Sequence, residues 1–225
     1  MLSHNLIDLT HPISPTTPAW PGSTFELHTD QNAPQSFCIQ TYHSSAGFGT
    51  HMDAPLHMIP GGRDIASYDI NTLCAPCSLF VAQQPVDASF VFTSEMLCAY
   101  EQQYGKIATG SWFVLMTGWG KHAHDQKAYQ NMDQNGLMHF PNVSAEVAQV
   151  LAERKIVGLC IDTLSPDGND YTFPVHNILL GAGIVIAENI RFYDGAIGNG
   201  HMLQVVPLPI VGGAEAPVRV LLKTS

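Results

Sequence analysis

The sequence predicts a mixed α/β domain in which short strands dominate. Largely apolar runs at 79–86, 112–117, 156–162 and 183–187 have strand length and read as buried strands. Between them lie stretches of helical character, the clearest opening at Ser94 and Ser144 with capping residues and an early glutamate, Glu95 or Glu146. No repeat or composition break divides the 225 residues, so 1–225 reads as a single domain with room for one sizeable core.

Along the chain, 6–9 suits a short strand, after which Pro12, Pro15, Pro18 and Pro21 exclude a long helix. His11 reads as a structurally hydrogen-bonded histidine, and Trp20-Pro21-Gly22 as a turn presenting an aromatic ring. Alternation of Phe25 and Leu27, then Phe37, Ile39 and Thr41, predicts two paired strands. Thr93 or Ser94 caps a helix to about Tyr104, and the 112–117 strand runs into Gly118-Trp119-Gly120. The polar stretch 121–136 contains His122, His124 and Asp125, yet reads as a solvated loop or short helix rather than a ligand cluster. Ser144 caps an amphipathic helix with Val147, Val150 and Leu151 on one face, leading into the 156–162 strand. Asp167 and Asp170 follow, either lining a site or making turns, and His176 then sits in a short helix ending at glycine. Two last strands, 205–211 and 217–222, are joined through Gly212-Gly213.

Composition excludes several classes of function. A net charge of −10 without a basic run argues against a nucleic-acid surface. No apolar run reaches the roughly 20 residues of a membrane span, and the first residues lack a signal-peptide pattern. Five cysteines, an odd number, read as reduced thiols in a cytoplasm. Cys74-x-x-Cys77 invites a redox reading but lacks a second pair and reads as a loop entering a strand. With only 12% charged residues, part of the surface is expected to be covered in a homo-oligomer.

The chemistry concentrates in 47–64, GFGTHMDAPLHMIPGGRD. His51 and Asp53 stand two apart, so in an extended segment both face one side, offering nitrogen and oxygen to a divalent metal. Small neighbours keep that side open, and Pro55 turns the chain so that His57 returns to the same pocket. Glu188 ends the apolar 183–187 run, and a carboxylate so placed is rarely buried without a partner. With His176, twelve residues earlier, it supplements the first pair.

Positions 47–57 resemble the H-x-G-T-H-x-D-x-P-x-H motif of the metal-dependent cyclase family, which includes bacterial kynurenine formamidases and isatin hydrolases. Leu9-Thr10-His11-Pro12-Ile13, Trp20-Pro21-Gly22, Thr117-Gly118-Trp119, the 161–167 stretch, His176 with Glu188-Asn189, and 212–220 look like its other signatures, in the same order. The resemblance implies a swivelling β/α/β fold with a central barrel-like mixed sheet, and a homo-oligomer, dimer or tetramer. It implies hydrolysis of an amide-type bond in a small molecule, an arylformamide or a cyclic amide. His51, Asp53, His176 and Glu188 match its metal ligands, with Asp53 able to bridge two ions; His57 matches its proton-moving histidine, and Trp20 lies near substrate.

The departure is Gly47, where the family has a metal-ligating histidine. The missing imidazole points to one ion, zinc or manganese, rather than two. It leaves about an imidazole's volume beside His51, so that Gly47→His is expected to raise the metal count towards two. His43, the nearest histidine upstream, is about 13 Å away along extended chain and needs a bend to substitute. The alternatives are a catalytically silent small-molecule binding protein on the same scaffold and, remotely, a thiol-dependent redox protein.

Overall fold

The computed structural model describes residues 6–225 except positions 33, 35, 84, 85 and 196. Positions 84 and 85 of the predicted 79–86 strand, and 1–5 of the stretch tested for a leader, lie outside the described residues. No helix among the described residues is long and apolar enough to cross a membrane.

The chain opens with β1 (Leu6–Asp8), then a separate ribbon of β2 (Phe25–Thr29) and β3 (Gln40–Ser44), as the alternation predicts. β4 (His51–Asp53) is followed by a 3₁₀ turn, Pro55–His57, and the short helix α1 (Ile70–Leu73). Next come β5 (Cys74–Val81), β6 (Val91–Phe92), α2 (Ser94–Tyr104) and β7 (Trp112–Met116). The second half continues with α3 (Gln126–Gln130), β8 (Asn142–Val143), α4 (Ala145–Arg154) and β9 (Gly158–Ile161). α5 (Pro174–Gly181), β10 (Val185–Glu188), β11 (Gly198–Pro207) and β12 (Glu215–Lys223) complete it.

The two helices expected from their caps begin where the caps put them. The Thr93 hydroxyl accepts from the Met96 N–H, and Ser144 from that of Val147. β5, β7, β9 and β10 run parallel, so each step needs a long crossover, and α2, α4 and α5 lie in those connections. β11 turns back antiparallel against β5, and β12 pairs antiparallel with β11. The first half of β12 then pairs with β4, which also pairs with β10, closing a seven-stranded barrel. The far end of β12 is left to β1.

Alternation along the strands divides the core in two. Val114, Cys160, Ala187, Val205 and Val220 belong to the cluster filling the barrel. Their neighbours Phe113, Leu159 and Ile186 point outwards beneath Val147, Leu151 and Leu179 of the helices.

Two expectations change. Cys74 and Cys77 lie on β5 itself, because α1 ends directly at the strand rather than in a loop. Three positions apart on a strand, they face opposite sides of the sheet, and burial pushes the Cys77 thiol up to about 12. That geometry removes the redox reading. The final hairpin is also longer than predicted, since β11 begins at Gly198, within a glycine-rich stretch that hides its strand character.

A buried carboxylate fastens the end of β9. Asp162 Oδ1 accepts from the Thr117 N–H and hydroxyl, each at 2.7 Å, and Oδ2 from the Gly118 and Gly120 N–H groups at 2.9 and 3.2 Å. Burial pushes this carboxyl up, against those four hydrogen bonds. Asp162→Ala should cost about 3 kcal/mol of stability in denaturant unfolding, because several inward donors lose their acceptor together. A loss under about 1 kcal/mol would contradict that role.

Candidate metal centre

Strand register assembles most of the site. His51 and Asp53 leave one face of β4 while Met52 between them enters the barrel core. Across the ladder, Glu188 of β10 stands opposite His51, and Glu215 of β12 stands opposite Asp53. Directly paired residues share a face, so these four side chains converge. The fifth, His176, comes from the first turn of α5, which Pro174 starts.

Both buried imidazoles have one nitrogen committed to a protein oxygen. His51 Nδ1 donates to the Gly49 carbonyl at 2.9 Å, and His176 Nδ1 to Asp167 Oδ2 at 2.5 Å. Asp167 also takes the Val175 and His176 N–H groups, so it caps α5 and fixes the imidazole at once. Each ring is thereby held with Nε2 pointing inwards. His51 Nε2 lies 3.5 Å from Asp53 Oδ1 and 3.4 Å from Glu188 Oε2. His176 Nε2 lies 3.4 Å from Asp53 Oδ2 and 3.2 Å from Glu188 Oε1. These are ion-pair separations without hydrogen-bond alignment: both Asp53 oxygens and Glu188 Oε1 are buried and accept no hydrogen bond from the described residues.

The charges shape each other. Burial would lower the His51 imidazole, but Asp53 and Glu188 outweigh it and raise it to about 10. Burial likewise opposes protonation of His176, and Asp167, Asp53 and Glu188 carry it well above the ordinary histidine range. Asp53 is held below the usual carboxylate range, because His51 and His176 overcome its burial. Glu215 moves the other way, raised by burial and by the Asp53 charge. The carboxylates thus demand positive charge, which protons supply in a metal-free site and a divalent ion would supply in a loaded one.

The donor set fits such an ion. One ligand atom from each of His51, Asp53 and Glu188 lies within 4.8 Å of the others, and the same holds for Asp53, His57 and His176. Orphaned oxygens of this kind, buried beside inward-pointing imidazole nitrogens, make a candidate cation site.

The centre forms the floor of a cavity of about 450 Å³. Trp20, Met58, Leu164 and Phe173 give it an apolar wall. Trp20 meets Tyr171 edge-on at 6.0 Å and Phe173 at 6.4 Å, so its ring is held in an aromatic cluster and still lines the cavity. His57 is exposed on the wall, its ring centre 5.9 Å from that of His176 and its Nδ1 3.7 Å from Glu215 Oε2.

Other candidates lie elsewhere. The backbone N–H of His11 donates to the Thr50 hydroxyl, and burial with the Arg191 charge holds its imidazole down at about 4, away from this cavity. His124 Nδ1 bonds the Lys121 carbonyl, and Asp125 caps α3, so neither joins a ligand cluster. His43 is exposed on the ribbon, opposite Glu26 on β2, and does not line the cavity. Glu215 and Asp167 are the residues that sequence reasoning missed or left open. The only sequence signal for Glu215 is an acidic residue between Gly212-Gly213 and the last apolar strand.

Comparison with known proteins adds to this geometry. A family model described as "Putative cyclase" matches residues 7–168. An isatin hydrolase from Roseibium aggregatum is 32% identical over 185 residues, covering 77% of this chain and 70% of the relative. A kynurenine formamidase from Bacillus cytotoxicus is 24% identical over 232 residues, covering 99% of each. The crystal structure of an isatin hydrolase bound to the product analogue thioisatinate superposes with a TM-score of 0.90 at 26% identity, covering 97% of this chain and 92% of that one.

Proposed function

The chain belongs to the cyclase family, and on that premise we propose that it is a metal-dependent hydrolase of an amide-type bond in a small molecule, an arylformamide or a cyclic amide. The observation that carries this reading is the buried meeting of His51, Asp53, His176 and Glu188 around carboxylate oxygens that accept no hydrogen bond from the described residues. These four hold the ion. When bound, one zinc or manganese ion supplies a Lewis acid and an activated water for attack on a carbonyl.

The chain's own residues do the rest. Asp167 and the Gly49 carbonyl fix the tautomers of His176 and His51. Trp20 and Phe173 offer an aromatic wall to a flat substrate and exclude water from one side of it. His57, exposed beside the ligands, takes a proton from the attacking water and returns it to the leaving nitrogen. The protein works in the cytoplasm as a homo-oligomer. The ribbon's exposed Leu27 and Tyr42, with Phe37 and Ile39 just before β3, support that assembly, which sedimentation tests.

Hydrolysis of isatin and of an aryl formamide, followed by absorbance with added zinc or manganese, tests the activity. Turnover of either substrate that disappears with a chelator and returns with metal is expected. Saturable binding of both compounds without turnover, in metal-loaded protein, would favour the silent binding protein instead.

A further inference from the structure

We infer that Glu215 is a ligand of the metal and takes the place of the histidine missing at position 47. The inference rests on the metal-site reading above and goes beyond it in adding a ligand that the family pattern does not contain.

Gly47 does not leave the open space its side-chain loss suggests. A Cβ added there would lie 2.1 Å from Glu215 Oε1, 3.1 Å from its Cδ and 3.2 Å from His51 Nε2. The Glu215 carboxylate therefore occupies the volume that a side chain at 47 would enter. Register puts it there: Glu215 is the first residue of β12 and is paired directly with Asp53 of β4. Its Oε1 stands 3.8 Å from His51 Nε2 and its Oε2 3.7 Å from His57 Nδ1, both too long for a hydrogen bond. A third carboxylate, only 26% exposed, thus stands on the face that Asp53 and Glu188 share, within 3.8 Å of His51 Nε2 but outside the two groups of ligand atoms that already lie within 4.8 Å of one another. Carboxylates gathered on one face repel each other unless protons or a cation join them.

The two positions act as alternatives. A residue with a side chain at 47 and a carboxylate at 215 compete for one space, and this chain holds glycine at the first and glutamate at the second. Exchanging an imidazole for a carboxylate leaves two nitrogens and three carboxylates around the ion. That set is harder and more negative, so it raises manganese affinity relative to zinc.

Calorimetric titration of zinc and manganese into the metal-free full-length protein tests the inference, using Glu215→Ala, Glu215→Gln, Gly47→His and the double variant Gly47→His/Glu215→Ala. Thermal unfolding of each metal-free variant checks that it folds. Wild type should bind about one equivalent. Losing a ligand should weaken binding by at least about tenfold in Glu215→Ala, since even loss of a supporting group costs 10–100-fold. Gly47→His alone should not add a second ion, because Glu215 holds the space. In the Glu215→Ala background it should restore affinity and move the preference towards zinc. Wild-type affinity in a folded Glu215→Ala or Glu215→Gln protein would overturn the inference alone, as would a second tight ion in Gly47→His. A wild type that binds no metal would overturn the function reading and this inference with it.

Discussion

Asp53→Ala is expected to abolish tight metal binding and to bring hydrolysis down to the background rate. Asp53, like Glu188, is approached by both buried imidazoles, with Oδ1 towards His51 and Oδ2 towards His176. It also belongs to both groups of side chains close enough to share an ion. Its removal therefore strips a donor from either arrangement and leaves the two histidines facing each other across a gap. Supporting groups around metal sites cost 10–100-fold in affinity when removed, and a directly bound carboxylate should exceed about 100-fold. Metal content after purification, titration of the stripped protein and a rate measurement read the result. Asp53→Ala protein that keeps an equivalent of metal would refute the proposed ligand set at its centre. Asp53→Asn, which keeps the shape and removes the charge, should weaken binding less than Asp53→Ala.

Local sequence carries what depends on neighbours in the chain. The His51–Asp53 spacing is legible because a strand has period two, and Met52 between them is apolar because it faces the barrel. The helices at Thr93 and Ser144 are legible because a hydroxyl before an amphipathic run satisfies the first free N–H groups. The apolar runs before Thr117 and Asp162 are legible as strands buried on both faces.

Closure of the barrel is not legible in this way. β12 divides its outer edge between β4 and β1, and only that division joins the ends of the sheet. The pairing of residue 53 with residue 215 is a fact of register, set by the whole barrel and by no nearby residue. Glu215 was invisible for that reason, and with it the occupant of the space beside Gly47. Asp167 is half legible: its turn-rich setting offers a site or a turn, but the carboxylate reaching His176 depends on where α5 docks. The whole-chain resemblance supplied the swivelling barrel, which periodicity did not.

The second large effect concerns His57. In His57→Ala the metal content should stay as in wild type while kcat falls by about 10²–10⁴, the usual contribution of a general acid or base. The 3₁₀ turn Pro55–His57 follows β4 directly, with Pro55 as its first residue, so His57 emerges beside the ligands but on the cavity wall. Its imidazole is exposed, whereas His51 and His176 are buried with Nδ1 already bonded. An exposed ring on the cavity wall suits proton transfer better than ligation. The competing assignment is specific, because His57 also lies close enough to Asp53 and His176 to share an ion with them. Metal analysis beside the rate separates the two. A His57→Ala protein that has lost its metal would move His57 into the ligand set, and one with full metal and full turnover would remove it from the mechanism.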